Sequence, residues 1–150
     1  SGVEGIGLGL AGVGLPDVPL FAGMVLRSVF EQAAVYGYPW KEASERRLAL
    51  ELIAAALSSG EELEAANRAI NHFLQEGTWE TDEREEESCR RAGEALSRSM
   101  LTMKFLQGIP VAGAVGGAWD AVILRRVQRY AELKYRRRFL IDWKKERKEG

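Results

Sequence analysis

The chain has 150 residues, with 46% hydrophobic and 29% charged side chains and a formal net charge of −1. That length supports one domain with a buried core, and the charge balance excludes a uniformly basic nucleic-acid binder and an acidic disordered chain. The one cysteine, Cys89, excludes an internal disulfide and a cysteine-based zinc cluster and fits a reducing cytoplasmic location; the one histidine, His72, leaves no histidine-rich metal site and a single route to a Ser-His-Asp triad.

The first stretch, GIGLGLAGVGLPDVPL from Gly5 to Leu20, contains G-x-G-x-x-G at Gly7, Gly9 and Gly12. A dinucleotide loop needs a strand before it and a long helix after it, whose N-terminus holds the pyrophosphate. Too little chain precedes Gly7 for the strand, and Pro16 follows Gly12 too soon for the helix. No Gly-Lys-Ser/Thr follows either, so phosphate binding is not read here. Gly5 to Leu26 is long and apolar enough to approach a bilayer span, but Pro16 and Pro19 interrupt it. Because Ser1 is not a methionine, the chain is expected to be trimmed, and no basic stretch leads the apolar start as in a signal peptide.

A helix is predicted from about Val18 to Tyr36, with Asp17 as its N-cap and Pro19 in its first turn, stopped by Gly37 and Pro39 in YGYPW. KEASERRLALELIAAAL, Lys41 to Leu57, reads as amphipathic, with Leu48, Leu52, Ala55 and Ala56 on one face. Ser58 and Glu61 have capping-box spacing for the next helix, whose stripe is Leu63, Ala66, Ile70 and Phe73 or Leu74 and whose end is Gly77. TWETDEREEESCRRAGEALSRSMLTMKFLQG then opens with acids suited to a helix N-terminus and turns apolar at Leu96, Met100, Met103 and Leu106. The last segment starts with a second Gly/Ala-rich patch around Gly113, Gly116 and Gly117 and ends in cations. No period-two alternation is sustained anywhere. The fold class is all-α, a compact bundle of about five or six helices. Gly5 with Gly9, and Gly113 with Gly117, have the small-xxx-small spacing that lets helix backbones approach closely, giving two close-packed segments.

The combination GLPDVPL, YGY, FLQGIPVAGAVGGAWDAV and RRVQRYAELKYRRRFL resembles the EcsC family of bacterial proteins, over roughly Val3 to Leu140. The resemblance implies a single EcsC-like helical domain over 1–150, lacking a further N-terminal helical part that family members carry. It also implies a context linked to an ABC transporter or the cell envelope, because the family's founding member lies in an operon with transporter components. It assigns no catalytic residue.

From Arg125 to the C-terminus cations far outnumber acids, whereas Glu76 to Glu94 is dominated by glutamate. Tyr130, Tyr135, Phe139, Leu140 and Trp143 interleave with the cations, as at a lipid headgroup boundary where arginines meet phosphate. The candidate membrane or partner contact is Arg129, Tyr130, Tyr135, Arg136, Arg137, Arg138 and Phe139. The alternative is a solvated helix whose aromatics enter the core and whose cations pair with the acidic run. Nucleic acid is not an expected partner, since the cations lie on one helix with no recognition fold around them.

Asp17 and Asp120 are isolated carboxylates in apolar surroundings, where a charge is costly unless paired. Asp17 reads as a cap and Asp120 as a partner of an arginine or a tyrosine hydroxyl. Were both to face one cavity, they would make an acid/base or metal-binding pair. No metal, cofactor or catalytic residue is assigned.

Three readings follow. The first is a non-enzymatic accessory protein of EcsC type, in the bacterial cytoplasm and peripheral to the inner face of the membrane, contacting anionic lipid or a membrane protein such as an ABC transporter component. The second is a soluble carrier or chaperone for an acyl chain or apolar peptide. The third is a hydrolase using Asp17 and Asp120.

Overall fold

A computed structural model describes the backbone of residues 18–107 and 116–149 and the side chains of residues 20–103 and 120–149. Asp17, Gly113 and the first glycine-rich stretch lie outside the described residues. Within them the chain forms helices and connecting turns and no strand, as the absence of period-two patterning requires.

Helix α1 spans Val18–Val35 and buries Phe21, Ala22, Val25, Leu26, Val29 and Ala33, a stripe at three- and four-residue spacing. It stops where YGYPW predicts. Gly37 takes φ 81°, and the Gly37 and Tyr38 amides donate back to the carbonyls of Ala34 and Ala33 at 3.0 and 2.9 Å. This is a Schellman ending, and its left-handed position favours a residue without Cβ.

Helix α2 spans Ala43–Ala56. Expected to be amphipathic, it is instead buried on every side along its second half, from Leu48 to Leu57, and even Glu45 and Glu51 are out of water. The physical reason is its position: all four other helices pack on it, so it has no solvent face to keep polar.

Helix α3 spans Gly60–Glu76. The predicted capping box at Ser58 and Glu61 does not form. Ser58 Oγ bonds the Ala54 carbonyl one turn back at 2.6 Å, and Ser59 takes the N-cap place without a side-chain bond. At the other end Gly77, φ 80°, closes the helix by donating to the Phe73 carbonyl at 2.8 Å.

Of the acids after Gly77, Glu80, Asp82 and Glu83 precede the next helix, and Glu85, Glu86 and Glu87 fill the first turn of α4, Glu85–Gln107, as acids suited to a helix N-terminus. The segment before it is a clip across α2. Trp79 stacks on Phe73 at 4.5 Å, its indole N–H donates to the Ser44 carbonyl at 3.2 Å, and the Arg47 guanidinium lies 4.4 Å over its ring. A loop tied this way satisfies its polar groups locally and has no reason to wind into helix.

Helix α5, Gly116–Glu149, has 34 residues and at 1.5 Å per residue extends about 50 Å. Ile123, Val127, Ala131 and Tyr135, four apart, form the row that enters the core against α1, α2 and α3. Gly116 and Gly117 stand in its first turn.

Candidate functional site

The four-residue row that anchors α5 decides what the rest of that helix shows to solvent. At 100° per residue, Val122, Arg125, Arg126, Arg129, Leu133, Arg136, Arg137, Leu140, Trp143, Lys144 and Arg147 fall within an arc of about 120° facing away from the core. Every member is cationic or apolar. Asp120, Glu132, Asp142, Glu146 and Glu149, the acids of α5, lie off this arc. Val122, Leu133, Leu140 and Trp143 are 46%, 62%, 48% and 45% exposed, so large apolar groups stand in water among the arginines.

Of the other α5 cations, Lys134, Arg138 and Lys145 have structural partners, while Lys148, near the C-terminal end, is exposed. Lys134 Nζ donates to Asn71 Oδ1 at 2.8 Å, Lys145 reaches the Gln75 carbonyl, and Arg138 donates to Glu45 at 2.6 Å with its guanidinium 3.8 Å over the Tyr38 ring. Burial, aided by the nearby Arg137 charge, pulls the Lys134 ammonium below its ordinary pKa. Helix α5 thus carries two sets of cations, an inner one that fastens it to α2 and α3 and an outer one on the arc. Among the described residues no carboxylate lies within ion-pair distance of Arg125, Arg126, Arg129, Arg136 or Arg137.

The paired acids of the acidic run find their partners elsewhere. Arg47 pairs with Glu83 at 3.1 Å, Arg46 with Glu85 at 2.9 Å, and Arg90 with Glu87 and Glu94 at 2.9 Å each. Arg91 bridges Glu83 and the buried Glu51, which also accepts from Ser88 at 3.3 Å. The alternative in which these acids would neutralise the cations of α5 is therefore not what the described residues show. Its other half holds in part, because two of the aromatics do enter the core.

The members of the candidate contact set differ in burial. Tyr135 is 1% exposed and burial pushes its phenol well above the ordinary range, so it belongs to the core. Arg138, with a side chain 13% exposed, is held between Tyr38, Phe73 and Glu45 and faces inward. Tyr130 is half-buried, its hydroxyl bonded to Asn67 and its pKa pushed up to about 12 by burial. Arg129, Arg136, Arg137 and Phe139 are exposed, and Phe139 leans on Tyr36 at 5.8 Å between ring centres. The candidate contact set left out Arg125, Arg126 and Leu133, and also Trp143, which sequence reading had placed among the interleaved aromatics; their spacing from Arg129 and Arg136 was the available signal.

The other singled-out groups sit in ordinary surroundings. Asp120 is half-buried near the start of α5. His72 Nδ1 lies 3.1 Å from Glu80 at the end of α3. Cys89 is buried, and burial raises its thiol pKa. Tyr38 donates to Asp142 at 2.8 Å, and burial together with that bond holds its phenol protonated far above neutral pH. Among the described residues no cluster of three or more His, Cys, Asp or Glu is placed to hold a metal ion, and no helix is long and apolar enough to cross a membrane.

The fold is therefore an all-helical domain with a one-sided cationic and apolar helix. The model of the EcsC protein family matches residues 1–140, and the chain belongs to that family. No curated protein and no solved structure matches it.

Proposed function

We propose that this EcsC-family chain is a non-enzymatic accessory protein that lies on the inner face of the bacterial membrane, with the outer arc of α5 against anionic lipid. The observation that carries this reading is the composition of the arc: arginines with no carboxylate partner among the described residues, interleaved with exposed Leu133, Leu140 and Trp143. Each basic residue near an anionic surface gains about 1 kcal/mol, and apolar side chains at the same level add burial in the interfacial zone. Aromatic and long cationic side chains suit this boundary because each has an apolar body and a polar tip. The link to an ABC transporter or another envelope process is supported by the family context alone, and a membrane protein is the second partner of the same surface.

Vesicle flotation tests the reading. The chain is expected to float with anionic vesicles at low salt, to be released at high salt, and to ignore neutral vesicles. Arg136→Gln with Arg137→Gln weakens flotation strongly, and Arg138 is left intact because it holds Glu45. Absence of anionic-dependent binding, or equal binding by the variant, would falsify the assignment.

A further inference from the structure

The N-terminal half of the arc borders an open groove of about 990 Å³ between α5 and the turn joining α2 to α3. Its apolar wall is made by Ala55, Ala56 and Leu63 on one side and by Val122 and Leu133 on the other. Arg125, Arg126 and Arg129 stand along it, and among the described residues no carboxylate lines it. Tyr130 closes part of the wall with its ring fixed by the bond to Asn67. An open surface of alanine, leucine and valine would by itself say nothing about an occupant. Three guanidinium groups along its edge do, because together they favour an anion, and guanidinium is the side chain best matched to phosphate oxygens.

We infer that this groove takes one molecule of a single-chain anionic phospholipid, its phosphate on Arg125, Arg126 and Arg129 and its acyl chain along the apolar wall. From Ala121 to Leu133 the groove follows α5 for about 18 Å at 1.5 Å per residue, room for an acyl chain of medium length. Its volume lies at the upper end of the ~300–1,000 Å³ usual for small-ligand pockets. The inference rests on the lipid reading for the chemistry of the partner, but it concerns one lipid held in a groove, not a bilayer surface.

The test is calorimetric titration of the whole chain with lysophosphatidylglycerol below its micelle concentration, beside lysophosphatidylcholine. One-to-one binding of the anionic lipid is expected, with the zwitterionic lipid about tenfold weaker, because its choline cation stands beside the three arginines and offsets the attraction of the phosphate. Arg125→Gln with Arg126→Gln weakens binding by a similar factor. Val122→Glu, which sets a carboxylate at the groove on an exposed position, does so independently. Arg136→Gln with Arg137→Gln leaves lysolipid binding intact while strongly weakening vesicle flotation, so failure of the groove and failure of the bilayer contact are separately visible. Equal affinity for both lysolipids overturns the proposal, as does binding that survives both groove variants or no binding at all. A dimer in sedimentation that Val122→Glu dissociates, without lipid binding, assigns the groove to a second copy and also overturns it.

Discussion

Arg138 of α5 donates to Glu45 of α2 at 2.6 Å, and the two side chains are only 13% and 3% exposed. The Tyr38 and Phe73 rings flank the guanidinium, at 3.8 and 5.1 Å. A buried pair contributes little net stability when intact, yet loss of one partner strands the other charge away from water. Arg138→Gln is therefore expected to cost about 3 kcal/mol in urea unfolding. Replacing both partners by Met and Leu costs less than the single change. A double variant less stable than Arg138→Gln would show that the pair itself, and not the stranded carboxylate, carries the effect.

Glu83 gives the acid limb of stability a specific source. Hydrogen bonding to Arg91, at 2.8 Å, holds its carboxyl below the ordinary value of 4.5, with burial acting in the opposite sense. A depressed folded pKa means that the contribution is present above the unfolded value and is lost as pH falls through the lower folded one. Stability should thus decline below about pH 4.5, and Glu83→Gln should flatten that decline while costing about 1–2 kcal/mol at neutral pH. Chemical unfolding from pH 7 to pH 3 measures both; an unchanged slope in the variant rules Glu83 out as the titrating group.

Gly77 ends α3 in the left-handed region, at φ 80°. A Cβ there would meet no neighbouring atom within 4 Å, so the cost of Gly77→Ala is backbone strain alone. It should be about 1 kcal/mol, and Gly77→Asn should recover part of it because asparagine tolerates this conformation better. Equal stability of the alanine variant and the parent chain would mean that the turn adopts another geometry in solution.

Cys89 is 7% exposed, and burial raises its thiol pKa. The thiolate is the reactive form, so both access and ionisation are suppressed in the folded chain. Labelling by a thiol reagent at pH 8 should be slow and should accelerate in urea along the unfolding curve. Fast labelling without denaturant would show that the start of α4 opens locally.

These cases separate what the sequence makes legible from what it hides. Gly37 and Gly77 could be read as helix stops because the left-handed region excludes most side chains whatever surrounds it. The partners of Arg46, Arg47 and Arg138 could not, since each pairing joins residues 36 to 93 positions apart and depends on how the helices pack. Tyr135 lies between. Grouped with its charged neighbours it looked like an interfacial aromatic, although its four-residue spacing from Ala131, Val127 and Ile123 already placed it on the buried row. Composition of a segment proved a poor guide to its face, and phase around the helix a better one. The all-helical class was visible from the absence of period-two alternation, but the burial of α2 was not, because only packing reveals which helix the others surround.

Phase also sharpens the prediction for the membrane contact. Arg136 and Arg137 lie on the outer arc with Leu140 and Trp143, and the Arg147 guanidinium lies 4.7 Å from the Trp143 ring. If anionic lipid covers this face, loss of Arg136 and Arg137 together removes about 2 kcal/mol, or roughly thirtyfold in vesicle affinity. The loss should shrink as salt screens both charges. Trp143 should then sit at headgroup depth, so lipids brominated near the glycerol end should quench part of the tryptophan emission, and Trp143→Phe should abolish that part. Arg138→Lys serves as the internal control, because its guanidinium faces Glu45 and not solvent; it should alter stability and leave the quenching unchanged once the chain is folded. Quenching that persists without Trp143 would place another part of the molecule against the bilayer and remove the outer arc of α5 as the contact.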